Sequence, residues 1–262
     1  MHMVIKPDSP LEVIQQEVVA CTRCPRLIRY CRKVAREKRR MYRDQPYWGR
    51  PLPSFGDPRA ELLIVGLAPA AHGGNRTGRM FTGDRSGDFL YGALYETGFS
   101  SQPQSVGRDD GLRLQNCYIT ASLRCAPPGN KPKPEELRNC RPYLVQELHL
   151  LKRVRAVLAL GRIAFDTYLR IVYDVYTLRT RGRVHHAAPL PSAQNEALGD
   201  ASALPPRSSW QFAHGASFAM PGGLPRLFAS YHPSQQNTQT GKLTPEMFRS
   251  VLSEIRRYLI TG

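Results

Sequence analysis

Four of the six cysteines have the type and spacing of metal ligands. Cys21 and Cys24 form a Cys-x2-Cys pair, whereas Cys125 and Cys140 are separated by 14 residues much later in the chain, each close to a proline. Four thiolates hold either a tetrahedral zinc ion or a [4Fe–4S] cluster. Compact zinc ribbons have a second pair as tight as the first, so this spacing favours a cluster that clamps the N-terminal helices onto the rest of the chain. Four unrelated buried cysteines are the alternative.

The remaining cysteines are predicted to be core residues. Cys31 falls on the apolar stripe of a predicted helix and Cys117 falls within a predicted strand. The first residues show no basic segment followed by an apolar one, so no export signal is recognised. We therefore expect a cytoplasmic, nucleoid-associated protein whose thiols stay reduced and are available to a metal.

A second group of residues with functional side chains lies in a glycine-rich loop, residues 66–84, which follows a short apolar run. Its glycine spacing matches neither a nucleotide-binding P-loop nor a dinucleotide fingerprint. Backbone N–H groups in such a loop can bind an anion or a carbonyl. The loop also concentrates side chains that bind or catalyse: His72, Asn75, Arg76, Arg79, Phe81 and Asp84.

A third group opens with His232, at the end of another apolar run, and continues with small polar residues to Thr244. A single histidine is usually structural. At the carboxyl end of a strand, however, it lies where ligands bind in α/β sheets, so a functional role is equally plausible.

The excess of basic over acidic residues predicts a polyanionic partner. Lysines and arginines number 37 against 21 acids, which gives a net charge of +16. Residues 26–40 predict a helix with one apolar stripe, and its other face is almost wholly basic. A merely solvated face usually mixes the two signs, so we predict that Arg36 and Arg40, among others, contact phosphates. An arginine-biased genome is the alternative explanation of the arginine excess.

Periodicity predicts an α/β fold that alternates strands with helices. The predicted strands are 61–66, 116–123, 154–160 and 226–231, and the predicted helices besides 26–40 are 9–20, 87–97, 134–151, 161–173 and 244–260. This order indicates a three-layer fold with a central, four-stranded, mainly parallel sheet. We expect one domain, residues 1–262, with an irregular insertion at 176–210, no membrane span and a monomeric state.

The motifs together resemble those of the type-5 uracil-DNA glycosylases (the UDGb group) of the uracil-DNA glycosylase superfamily. The matching stretches are CTRCPRL (21–27), FGDP (55–58), GLAPAAHGGNRTGRMFTGD (66–84), CAPPGNKPKPEE (125–136), CRPYL (140–144) and HPSQQNTQTGKLT (232–244). They cover nearly the whole chain outside the insertion. The resemblance implies a four-stranded parallel sheet between helices and a [4Fe–4S] cluster on the four cysteines named above.

The resemblance also implies site roles. Phe81 would stack on a nucleobase flipped out of the duplex, and His232 would hydrogen-bond the carbonyl of the departing base. The backbone N–H groups of Ala68 and Ala70 would contact the base. The loop 233–240, with Ser234 and Asn237, would enter the DNA groove.

Two positions depart from the wider superfamily. Its first motif often carries an early polar residue that orients the attacking water, but residues 66–70 carry none. Asp84 is the candidate substitute, with Asn75 second, although Asp84 equally fits the N-cap of the helix at 87–97. Ala121 stands where many relatives have the asparagine that reads uracil. We therefore expect tolerance of other deaminated or modified bases, such as hypoxanthine and hydroxymethyluracil.

The sequence thus predicts a hydrolase that excises uracil and other deaminated bases from double- and single-stranded DNA and leaves an abasic site. The loops at 66–84 and 232–244 contain one lysine, Lys242, which gives little support for lyase chemistry. A catalytically silent iron–sulfur protein that binds damaged DNA is the main alternative. A zinc-dependent nuclease is weaker, because its only candidate ligands are His185 and His186.

Overall fold

A mixed six-stranded sheet forms the centre of the protein. The computed structural model describes residues 9–180 and 204–261. The strands are β1 (Phe55–Gly56), β2 (Leu62–Gly66), β3 (Cys117–Ala121), β4 (Ala156–Leu160), β5 (Ser217–Phe218) and β6 (Arg226–Ser230). Their order across the sheet is β1-β3-β2-β4-β6-β5.

The four inner strands are parallel, and the two edge strands run antiparallel to their neighbours. The inner strands are buried on both faces, which explains why each reads as a continuous apolar run. The expected count of four strands is wrong, because the sheet has six. Strands β1 and β5 have two residues each and are too short to carry a periodic signal.

Helices cover both faces of the sheet. They are α1 (Pro10–Ala20), α2 (Pro25–Glu37), α3 (Gly74–Thr77), α4 (Arg85–Glu96), α5 (Pro134–Leu150), α6 (Arg162–Thr180), α7 (Gln235–Gln239) and α8 (Pro245–Thr261). Residues such as Leu94 of α4 and Phe248 of α8 pack with Ile64 on one face. Leu148 of α5 and Phe165 of α6 pack against the other.

Helices α1 and α2 form an N-terminal arm with a core of its own. Ser9 caps α1, and its side chain and that of Glu12 satisfy each other's backbone N–H groups. Leu27 and Cys31 of α2 are fully buried in a cluster with Tyr143 of α5. The arm therefore packs mainly against α5, and Gln15 of α1 also donates to the Tyr118 hydroxyl of β3 at 3.1 Å.

Two predicted boundaries need correction. Helix α6 continues to Thr180 instead of ending near Tyr173, since no glycine or proline interrupts the chain between Gly161 and Thr180. The expected irregular insertion therefore begins later than residue 176. Its part at 181–203, including His185 and His186, lies outside the described residues. None of the helices in the described ranges is long and apolar enough to cross a membrane.

Candidate active site

Loops that follow the inner strands meet at the carboxyl edge of the sheet. The loop after β2 carries Phe81, and the chain after β6 carries His232. The two rings stack, with centroids 5.7 Å apart and planes inclined by 30°. Sequence reasoning placed both residues in the site, and the structure brings them together.

Two glycines make this approach possible. A Cβ on Gly66, at the end of β2, would lie 2.8 Å from the Phe81 ring, so the ring rests on bare backbone. Strand β4 separates β2 from β6, and Gly161 directly follows it with φ +89°. A Cβ on Gly161 would lie 3.3 Å from that of His232. The His232 loop can therefore cross the end of β4 because Gly161 has no side chain.

Phe81 itself is held in a left-handed conformation, with φ +51°. Such a conformation costs of order 1–3 kcal/mol in a residue with a side chain and is found at functional sites. The backbone of helix α4 packs directly against that of Phe81: a Cβ on Gly87 would lie 1.9 Å from the Phe81 carbonyl oxygen. The aromatic ring is half-buried and packs against the edge of the core.

His232 is a neutral imidazole. Burial lowers its pKa to about 4. Its ring nitrogens make no hydrogen bond to the residues that the structure describes, whereas its backbone carbonyl accepts from the Ser234 N–H at 2.7 Å and from Asn237 Nδ2 at 2.8 Å. The backbone is therefore fixed while a ring N–H remains available to a ligand.

The two candidates for orienting water differ in accessibility. Asp84 is half-buried and burial raises its pKa. One carboxylate oxygen caps α4 by accepting from the Gly87 N–H at 3.0 Å, and the other lies against Gly73. The N-cap role expected as an alternative is thus present, and it leaves the second oxygen able to accept from a water.

The side chain of Asn75 has a structural role instead of orienting water. It is fully buried, and its Nδ2 donates to the carbonyls of Cys31 in α2 and Ala71, at 3.3 and 3.4 Å. Its side chain therefore ties the basic helix to the site loop. Its Oδ1 has no hydrogen-bond partner among the described residues.

The three alanines predicted to border the base lie along the same edge. The N–H groups of Ala68 and Ala70 donate to no other residue in the described ranges, and both residues are half-buried. Ala121 ends β3 opposite Gly66 and is 2% exposed. The backbone can therefore offer donors to a base, while the side chain of Ala121 offers neither a donor nor an acceptor.

Two arginines of the loop are braces rather than ligand contacts. Arg76 donates to the carbonyls of His72 and Gly83, and its guanidinium lies 3.9 Å from the centre of the Tyr42 ring. Arg79 pairs with Asp110 at 2.5 Å, and both side chains are buried. Such buried, partnered charges fix the loop conformation.

The predicted DNA contacts divide into two groups. Arg36 and Arg40 are exposed, as phosphate contacts must be. Ser234 caps α7 by accepting from the Asn237 N–H, and the Asn237 amide is engaged with the His232 carbonyl. The structure therefore gives Asn237 a positioning contact that sequence reasoning missed, and this contact has no sequence signal beyond its place within the His232 loop.

The four candidate ligand cysteines line one cavity. Cys21 and Cys24 come from the arm, Cys125 follows β3 and Cys140 belongs to α5; together with Arg124 they border about 300 Å³ of space, part of it open to solvent. Burial raises the pKa of the Cys24 thiol and raises that of Cys140 to about 12. The pKa of Cys125 is also raised, first by a hydrogen bond with Cys31 and then by burial.

No three cysteine, histidine or acidic side chains in the described ranges are grouped as they would be around a single metal ion. Cys31 and Cys117 are fully buried, which confirms their prediction as core residues.

The comparisons with known proteins agree with this architecture. The model of the family described as the uracil DNA glycosylase superfamily matches residues 53–256. The chain belongs to that superfamily.

Within the superfamily, a type-5 uracil-DNA glycosylase from Thermus thermophilus is 48% identical to this chain over 94% of this chain and 97% of its own length. The type-5 enzyme of Mycobacterium tuberculosis is 46% identical, over 92% and 78%. A type-4 uracil-DNA glycosylase from Archaeoglobus fulgidus is 31% identical over 51% of this chain and 61% of its own. The resemblance drawn from the motifs is confirmed.

A buried ion pair beside the cysteines was also missed from the sequence. Arg124 and Glu147 are 1% and 0% exposed and form a salt bridge. Glu147 lies on the same buried face of α5 as Cys140 and Tyr143. A carboxylate at such an apolar-face position is a signal that could have revealed a buried partner.

Proposed function

We propose that this member of the superfamily is a monofunctional glycosylase that hydrolyses the N-glycosidic bond of uracil, and of other deaminated bases, in DNA. The observation that carries the proposal is the Phe81–His232 pair: an aromatic face and a neutral ring N–H lie side by side at the carboxyl edge of the sheet. That combination suits a flat base that becomes anionic as it leaves.

In this mechanism the target nucleotide leaves the duplex stack, at a cost of a few kcal/mol, and stacks on Phe81. The N–H groups of Ala68 and Ala70 contact the base. As the bond between C1′ and the base nitrogen breaks, negative charge develops on the base, and the His232 N–H stabilises it. Asp84 orients the water that attacks C1′, and the proton of that water ends on solvent or on Asp84.

Hydrolysis rather than lyase chemistry is favoured by the surroundings of Lys242. Its ammonium group lies 4.7 Å from the centre of the Tyr231 ring. A Schiff base needs an unprotonated amine directed at the sugar. The Lys242 ammonium group instead lies over the aromatic face of Tyr231 in a cation–π contact.

Tolerance of other bases follows from Ala121. A superfamily member with an amide here can make two hydrogen bonds to the edge of uracil, and a site built on such bonds rejects bases that cannot make them. Ala121 removes that discrimination. Uracil, hypoxanthine and hydroxymethyluracil should therefore all be excised.

We propose further that Cys21, Cys24, Cys125 and Cys140 hold a [4Fe–4S] cluster. Support comes from four thiols that line one cavity without being grouped for a single ion. The neighbouring Arg124 Nε is a buried donor for which no described residue is a partner. When bound, the cluster supplies covalent cross-links between the arm and the α/β body, and no step of the hydrolysis is assigned to it.

The experiment compares wild type with His232→Ala on duplexes that differ in one base. After alkaline heating, strand scission at uracil should fall by about 10²-fold or more in the variant, as when an oxyanion donor is removed. Binding to an uncleavable abasic analogue should persist. Scission near zero in both proteins would instead favour a silent damage-binding protein, and cleavage of uracil alone would contradict the broad base range.

A further inference from the structure

Arg124 is a fully buried cation at the edge of the four-cysteine cavity. It precedes Cys125 in the chain, and its backbone N–H donates to the Cys140 sulfur at 3.3 Å. A buried charge needs compensation, so the partners of this guanidinium decide what it can do.

Only part of the guanidinium is satisfied by protein. One terminal nitrogen donates to the Ser54 hydroxyl and the other to Glu147. Nε, which lies on the stem of the same side chain, donates to no described residue although it is buried. Buried donors without a partner are rare in native proteins and are found where a ligand or another group supplies the acceptor.

Glu147 is the counter-charge, and it is fixed independently of Arg124. Its carboxylate also accepts from Gln15 at 2.9 Å, from Ser54 at 2.6 Å and from Thr120 at 2.6 Å. Arg124 borders the cavity and Glu147 does not. The cavity is therefore lined by the residue that carries the positive charge of the pair and not by the one that carries the negative charge.

We propose that Arg124 donates its Nε–H to the iron–sulfur cluster and that the Arg124–Glu147 pair sets the reduction potential of that cluster. This inference rests on the cofactor proposed above. Hydrogen bonds to cluster sulfurs and nearby charge are principal determinants of such potentials. A cation at the cavity stabilises the reduced, more negative cluster, while Glu147 weakens this effect and holds the guanidinium in place.

The test is the one-electron reduction potential of the iron-loaded protein, measured by film voltammetry in Arg124→Gln and Glu147→Gln. Arg124→Gln removes the cation and should shift the potential to a more negative value. Glu147→Gln leaves the cation unopposed and should shift it to a more positive value. Because Gln15, Ser54 and Thr120 still donate to Glu147, Arg124→Gln retains most of the network, and thermal unfolding checks that each variant is folded.

Arg79→Gln is the matched control, since Arg79 is also buried and paired with a carboxylate but does not border the cavity. It should leave the potential unchanged. Shifts of the same sign in both test variants, or no shift in folded, iron-loaded variants, would overturn the proposed role of the Arg124–Glu147 pair. Those results would leave the cofactor proposal standing. If wild type purified anaerobically contained no iron, that result would overturn the cofactor proposal and this inference with it.

Discussion

At the scale of single residues, burial controls the chemistry of His232. The folded protein keeps its imidazole neutral because no described carboxylate compensates the loss of water, and the pKa falls to about 4. A neutral imidazole carries one N–H, and this group can donate a hydrogen bond to an anionic base. The same burial makes the folded state sensitive to acid.

Stability should therefore decrease as the pH falls from 7 to 5. The unfolded chain binds a proton on this histidine near pH 6.5, whereas the folded chain binds it only near pH 4. Between these values the unfolded state binds more protons, so the free energy of unfolding decreases as the pH is lowered. Urea unfolding of wild type and His232→Asn at both pH values measures this loss. Between pH 7 and pH 5 we expect wild type to lose about 1 kcal/mol more of its free energy of unfolding than the variant, after allowing for solvent screening. Equal losses in the two proteins would contradict it.

Asn237 should act on the reaction through the His232 backbone. Replacing Asn237 with alanine removes one of the two donors to the His232 carbonyl and loosens the position of the ring. We expect kcat for uracil excision to fall about tenfold while KM stays the same, corresponding to about 1.4 kcal/mol of transition-state stabilisation. Gln236→Ala, an exposed neighbour on α7, is the control. A matching loss in that variant would show that α7 matters only as a whole.

At the scale of elements, helix α2 carries two functions on opposite faces. Its apolar face, with Leu27 and Cys31, packs into the arm, and its other face exposes a row of basic side chains: Arg29, Arg32, Lys33 and Arg36. The Asn75 hydrogen bond fixes this helix to the site loop. The basic face is thus held beside the loop that carries Phe81, where it can contact the phosphates of a bound duplex.

Neutralising part of that face should weaken DNA binding without changing base preference. In Arg32→Gln/Arg36→Gln, two fewer phosphate contacts release fewer counterions, so the slope of log K against log salt should become shallower by about 2. Fluorescence anisotropy with an uncleavable duplex at several salt concentrations measures it. Arg257→Gln on α8, equally exposed, is the control. An unchanged slope in the double variant would exclude α2 from the DNA interface.

At the scale of the whole molecule, a salt bridge and the cysteine cavity are two of the contacts that join the arm to the α/β body. Arg26 forms a two-pronged salt bridge with Glu136 of α5, with both distances 2.7 Å. The second joint is the cysteine cavity, to which the arm contributes Cys21 and Cys24. The arm also packs through the buried apolar cluster around Leu27 and Tyr143. The cysteine cavity is the only one of these contacts that a bound metal would strengthen.

Removing the iron of the proposed cluster should therefore loosen the arm before the sheet unfolds. We expect Cys24→Ser, or wild type stripped of iron by a chelator, to be cut by protease within residues 9–45 while residues 53–180 and 204–256 stay resistant. Mass spectrometry of the fragments measures it, and Cys117→Ser, a buried cysteine of β3 outside both the arm and the proposed ligand set, is the control. Identical protease patterns with and without iron would contradict the clamp.

The sequence by itself determined the inner sheet and the regions where the site lies. Apolar runs predict β2, β3, β4 and β6 because parallel strands buried on both faces contain little else. Helix starts were readable where local rules hold, as at Ser9 and at Pro134. The motif loops after β2 and β6 identified the superfamily.

Only the tertiary structure decided what the polar residues of those loops do. Arg76 and Asn75 have functional side chains in a functional loop, yet their partners include Gln45 and Cys31, 31 and 44 residues away. Local periodicity reports how the backbone is shaped and which face is apolar, but it carries no information about which distant group will satisfy a buried donor. The same reason hid the Arg124–Glu147 pair, whose members meet only because α5 packs across the end of β3.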